Sequence, residues 1–189
     1  DLLAVANPDD FSQTCAALDE RSAANDSNVT VTSTLPIMTD NVTFTFGGKS
    51  ETVQLIVVPD DRTNDLDDYV RLEDESKEPL SLRDGDVYLS KSSQLVLGIQ
   101  PGDTAHVQDS SLNVAKVKVS DISLNYLGNT LYMTQGTYER TFGRSARLNG
   151  IFALLKGSSA DQIAFSKKLK SDGWLSISST AEHWENFEA

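Results

Sequence analysis

A single cysteine, Cys15, removes any internal disulfide from the ways this chain can hold itself together. Stability must come from a core, and 189 residues suffice, since a chain of that length buries roughly 70% of its unfolded surface. Cys15 lies between Phe11 and Leu18 at helical spacing, which places it on an apolar face as a small hydrophobe. No base or helix start beside it argues for a reactive thiol. A cysteine-poor domain of secreted type points to a bacterial surface rather than a eukaryotic one. Histidine is also scarce: His106 alternates in an extended run and His183 sits in the acidic tail, neither at metal-ligand spacing. Apolar runs stay short of the roughly 18 to 20 residues that span a bilayer. Initiator Met and signal peptide are absent too. The chain opens on Asp1-Leu2-Leu3, which reads as an internal start, so nothing follows about targeting of the whole protein.

Positive charge is the other deficit. Sixteen Lys and Arg face 28 Asp and Glu, a formal net charge of −12 with a pI near 4.4. Such a field repels nucleic acid and anionic lipid, so no nucleic-acid partner is expected. Lys167-Lys168-Leu169-Lys170 shares a helical segment with Asp161 and Asp172 and reads as a solvated helix face. The composition, 39% hydrophobic and 23% charged, is that of an ordinary folded domain.

Catalytic signatures are missing as well. There is no Gly-x-Ser-x-Gly elbow, no phosphate-binding loop and no dinucleotide glycine fingerprint. The acidic cluster Asp60, Asp61, Asp65, Asp67, Asp68 begins with a calcium-loop rhythm. Leu66 then stands where the sharp turn needs Gly, and Leu72 where the bidentate Glu belongs. Paired carboxylates for glycoside hydrolysis need a cleft with aromatic platforms, and the aromatics fall at core-like spacings. No catalytic, cofactor-binding or metal-binding residue is nominated, and a non-enzyme is expected. Three Asn-x-Ser/Thr matches, at Asn25, Asn28 and Asn41, are read as chance occurrences in a segment rich in Asn, Ser and Thr.

What the sequence does contain is punctuation. Asn7-Pro8 opens a helix that carries Phe11, Cys15 and Leu18 and ends in the polar run 25–28. Val29 to Thr34 and Asn41 to Phe46 alternate as strands, and Gly47-Gly48 turns the second into Glu51 to Val58. Further strands are expected at Tyr69–Leu72, Val87–Leu89, Thr104–Val107, Asn113–Leu124 (with an irregularity) and Leu131–Met133. A short helix from Ser90 closes at Gly98, and another from Thr134, carrying Tyr138 and Phe142, stops at Gly143. Gly150–Leu155 is an apolar strand. A helix capped by Ser159 ends at Gly173, and Trp174–Ser178 is a last strand. Strand–helix–strand pieces at both ends predict an α+β protein of two lobes. Residues 1–60 and 145–189 form a split βαβ-type lobe, and 61–144 an inserted β-rich lobe with short helices.

The middle of the chain has an order of its own. A strand with Tyr69-Val70-Arg71-Leu72 is followed by Leu82-x-Asp84-Gly85-Asp86-Val87-Tyr88-Leu89-Ser90, then by a short helix ending Leu97-Gly98-Ile99 and by Pro101-Gly102-Asp103. Val117-x-Val119-x-x-Ile122, Asn125-Tyr126-Leu127-Gly128, Leu131-Tyr132-Met133 and Tyr138-x-x-x-Phe142-Gly143 follow. This series resembles the extracytoplasmic, MacB-like periplasmic core domain of FtsX-like ABC-transporter permeases. The resemblance implies a porter-like lobe built from both chain ends, set between two membrane helices of a bacterial cell membrane with this segment outside. It further implies a cytoplasmic ATP-binding-cassette subunit as partner, a permease dimer, and coupling of ATP hydrolysis to transport, sensing or mechanical signalling. An extracellular protein or peptide partner fits the same reading. Trp184-Glu-Asn-Phe187 is expected to lead toward a membrane helix. The alternative is a secreted or cell-wall-anchored adhesion or interaction module without an ATPase; an extracellular hydrolase ranks behind both.

Overall fold

The computed structural model describes residues 2–24, 28–124 and 128–179. These form two compact units: the chain up to Ile37 together with the chain from Arg147 onward, and Met38–Ala146 between them.

The first unit starts from local signals. The Asn7 side chain accepts a hydrogen bond from the Asp9 amide at 3.0 Å, and Pro8 opens a single 3-10 turn that feeds α1 (Phe11–Ala24). Strand β1 (Leu2–Val5) runs antiparallel to both β9 (Gly150–Lys156) and β10 (Ser176–Ser179). The first half of β2 (Thr30–Phe46) runs antiparallel to the other edge of β9. The order is therefore β10-β1-β9-β2. Helix α1 links the parallel, non-adjacent β1 and β2, and α4 (Ser159–Lys170) links β9 and β10 in the same manner. Two interleaved split βαβ units in this order are the ferredoxin-like arrangement. Leu2, Ala4, Leu18, Ile151, Phe165 and Trp174 form its core. Each such buried large side chain contributes roughly 1.5–3 kcal/mol. Arg21 of α1 pairs in bidentate fashion with Asp172 beyond α4, with Nη2 2.7 Å from Oδ1.

The second unit grows from the remainder of β2. Gly47 and Gly48 have φ of 58° and 78°, the positive values that a two-residue hairpin turn needs, and Phe46 pairs with Lys49 at the start of β3 (Lys49–Val58). Beyond β3 lie β8 (Thr130–Thr134, parallel), β4 (Val87–Ser90, antiparallel to β8) and β7 (Asp121–Ser123, parallel to β4). On the opposite edge of β2, Thr43–Thr45 pair with β5 (Thr104–Gln108), which pairs with β6 (Val114–Lys118). Helices α2 (Lys91–Leu97) and α3 (Gln135–Phe142) end at Gly98 and Gly143, both left-handed, at the expected positions. Val42, Phe44, Leu55, Leu89, Val107 and Tyr138 belong to one continuous core. Ile56, Tyr88 and Tyr132 alternate onto the other face of the sheet. There the Tyr88 hydroxyl donates to the Ser81 carbonyl at 2.7 Å.

Several expectations are corrected. Val29–Thr34 and Asn41–Phe46 belong to one 17-residue strand that runs through Pro36. At Pro36 the strand has only β9 beside it, and pairing with β3 begins at Met38, so one side of the strand needs no donor there. The unit boundary consequently falls at Ile37/Met38 rather than near residue 60, and at Ala146/Arg147 rather than 144/145. The long ladder of Met38–Phe46 with Lys49–Val58 draws the hairpin into the second unit. Tyr69–Leu72 is not a strand. Val70 and Leu72 are buried, but only Glu73 makes isolated bridges. The expected run Asn113–Leu124 divides into β6 and β7. The cap of α4 is Ser158, one residue before Ser159, and β10 begins after Trp174.

Candidate functional site

The two ends of the described chain meet. Leu2 faces Ser179, and the register continues through Leu3–Ser178 and Ala4–Ile177 to Val5–Ser176. Cα atoms paired in this manner stand about 4.5–5.5 Å apart. The first and last described strands are thus neighbours, with β10 at the edge of the sheet and β1 next to it.

The acidic cluster is absorbed into structure. Asp60–Asp68 forms a 3-10 helix. Asp60 Oδ1 accepts from the Gly136 amide at 3.0 Å in the first turn of α3, and Arg62 pairs with Asp65 at 2.5 Å. A Cβ on Gly136 would come within 3.2 Å of both Asp60 and Asp84, so this helix start is tightly enclosed by carboxylates. Among the described residues no group of three His, Cys, Asp or Glu side chains converges as metal ligands would. His106 is exposed on β5 between buried Ala105 and Val107. His183, Asn25, Asn125-Tyr126-Leu127 and the 184–187 segment lie outside the described residues. Asn28 and Asn41 are exposed.

Burial shifts one thiol and three phenols. It pushes the Cys15 thiol up from 9.0 to about 11, with the Asp19 carboxylate adding to the effect. Burial likewise raises the phenols of Tyr88, Tyr132 and Tyr138. Asp86, 2.9 Å from the Tyr88 hydroxyl, adds to the first, and Arg144 opposes the last. None of these shifts activates a nucleophile.

The most organised surface feature is one that sequence reasoning missed: the loop between β5 and β6. The Asp109 carboxylate is buried and accepts from the amides of Ser111 at 2.9 Å and Asn113 at 2.8 Å. It also accepts from the Asn113 side-chain amide at 3.0 Å and lies 3.5 Å from Arg144. Asp40 holds the next amide, that of Ser110, at 3.1 Å. This scaffold fixes Leu112 at φ 68° with 74% of its surface exposed, beside Val114 at 62%. An Asp followed by two Ser and an Asn, set between two alternating runs, was the available signal.

No family model matches the chain, and no curated protein matches it. Solved structures do. The periplasmic region of MacB from Actinobacillus actinomycetemcomitans matches 99% of this chain and 91% of its own, at 16% identity and a TM-score of 0.47. The extracellular domain of the noncanonic ABC-type transporter YknZ from Gram-positive bacteria matches 90% of this chain and 92% of its own, at 13% identity and a TM-score of 0.47. Among the described residues, no helix is long and apolar enough to cross a membrane.

Proposed function

We propose that this chain is the extracytoplasmic domain of an ABC-transporter permease, carried between two membrane segments. In that setting it transmits motion driven by a cytoplasmic ATPase to the outside, for transport, sensing or mechanical signalling. One observation carries the reading: β1 and β10, the first and last described strands, are antiparallel neighbours. A domain inserted between two membrane helices needs such an arrangement. The order of turns and strands from Leu82 to Gly143 supports the same family. Within the acidic segment, Asp60 accepts from the first turn of α3 and Asp65 pairs with Arg62, so both carboxylates serve the fold.

The test uses the full-length protein in its own cells. Membrane fractionation, protease access to this segment from outside, and co-purification of an ATP-binding-cassette subunit are the expected results. Recovery from the medium or the cell wall with no membrane-embedded portion would transfer the assignment to the adhesion module.

A further inference from the structure

The sheet of the second unit has one face turned into the core; the other is covered at Ile56, Tyr88 and Tyr132 and open over the Gly47–Gly48 end of β2 and β3 and along β5 and β6. Along β2, β3, β5 and β6 the inward positions carry Val42, Phe44, Leu55 and Val107. From Asn41 to Thr45, from Ser50 to Gln54 and along β5 and β6, the outward positions are exposed or half-buried. The register makes the chemistry of that open face definite. Thr43 lies beside Thr52, His106 beside Lys116, and Thr104 beside Lys118. Hydroxyl and amide side chains fill most of the remainder, and no carboxylate occurs at an outward position of these four strands. The acids that β2 and β3 do contain, Asp40 and Glu51, pair with Leu55 and Phe44 and so belong to the inward set. In a chain with 28 acids and a net charge of −12, this face is locally cationic.

Its cationic strip ends in an apolar anchor. Val114 shares the outward side of β6 with Lys116 and Lys118, and Leu112 projects from the adjoining loop. A rigid loop that holds large apolar side chains in solvent is prepared for a partner, because ordering at the moment of binding is already done. Lysines beside such an anchor steer an oppositely charged partner and fix its register. The long-range field of the chain opposes an anionic bilayer, whereas a protein segment engages the strip locally within a Debye length of about 8–10 Å.

We propose that the outward face of β5 and β6, anchored at Leu112 and Val114, docks an extended acidic segment of a partner protein. Carboxylates alternating along that segment meet His106, Lys116 and Lys118, and apolar side chains at one end cover the loop. The inference rests on this face alone and stands whether or not the chain belongs to a permease.

The experiment is fluorescence anisotropy of a short labelled peptide with glutamate at alternate positions and two leucines at one end, titrated with the 189-residue chain. The same titration is run with K116E/K118E and with L112S/V114S, each verified as folded by circular dichroism and thermal melting. Saturable binding that weakens about tenfold or more in each variant, and falls with salt in the wild type, is the expected result. Absence of binding by the wild type, or equal binding by all three proteins, overturns the proposal. So does binding to vesicles of equal parts phosphatidylglycerol and phosphatidylcholine with none to the peptide, which assigns the face to a lipid surface.

Discussion

Leu2 and Ser179 stand opposite each other on antiparallel strands, although nearly the whole described chain lies between them. The pairing continues for four residues, so it is a ladder and not a chance approach of loose ends. The ends can therefore be joined without distortion. A circular permutant with a short Gly/Ser linker between the original ends and new ends opened between Gly47 and Gly48 should fold. Its melting temperature should lie within about 5 °C of the parent, because the cut falls in an exposed two-residue turn. Differential scanning calorimetry checks this, and a permutant that melts without cooperativity would refute the end-to-end geometry.

Arg21 and Asp172 form the main ionic tie between α1 and the end of α4. Both side chains are largely shielded, at 25% and 16% exposure, and the contact is bidentate, which removes it from the class of negligible surface pairs. Asp172→Asn should cost about 1–2 kcal/mol in urea unfolding. Arg21→Met with Asp172→Asn should cost less than the sum of the two single changes. Strict additivity would show that the pair contributes nothing of its own.

The single thiol provides a labelling test. Burial beside Asp19 raises Cys15 from 9.0 to about 11, so at pH 8 its thiolate fraction is about a hundredfold lower than in the unfolded chain. Reaction with a chromogenic disulfide should be slower in the native protein by at least about that factor and recover in urea. The sign of the linked stability follows. The folded form holds its proton more tightly, so the contribution is complete below pH 9 and is lost as pH rises toward 11. Equal rates in native and unfolded protein would contradict the burial.

How much of this was legible in the sequence depended on whether a feature is encoded by residue type or by partners. Asn7-Pro8, Gly47-Gly48, Gly98, Thr134 and Gly143 act through their own backbone preferences, and the structure places each where the sequence predicts. The union of Val29–Thr34 and Asn41–Phe46 in one strand was not legible because a proline such as Pro36 is accommodated only where the strand lacks a neighbour on one side. Val70 and Leu72 misled because alternating burial does not require a ladder. Helix α2 buries Ser93, Gln94 and Leu97 while Leu95 and Val96 face solvent, so its apolar residues do not share one face, and Ser90 and Ser93 hydrogen-bond to each other at its start. The positive φ of Leu112 was unreadable for a related reason: nothing in a leucine announces it, and Asp109 imposes it from three residues away.

That imposition yields the sharpest prediction. A non-glycine residue held at φ 68° costs about 1 kcal/mol or more, and Leu112 recovers little of it by burial because it is 74% exposed. Leu112→Gly should leave stability unchanged or raise it by up to about 1 kcal/mol, despite removing an entire apolar side chain. Asp109→Ala should do the opposite and cost about 2–3 kcal/mol, since the amides of Ser111 and Asn113 lose their acceptor and Arg144 its counter-ion. Urea unfolding of the two variants beside the parent reads both effects. Stabilisation by glycine together with loss of peptide binding would mean that Leu112 is kept for contact and not for folding. A destabilised L112G would mean that the leucine packs against the unit, and the loop would then have no spare anchor to offer a partner.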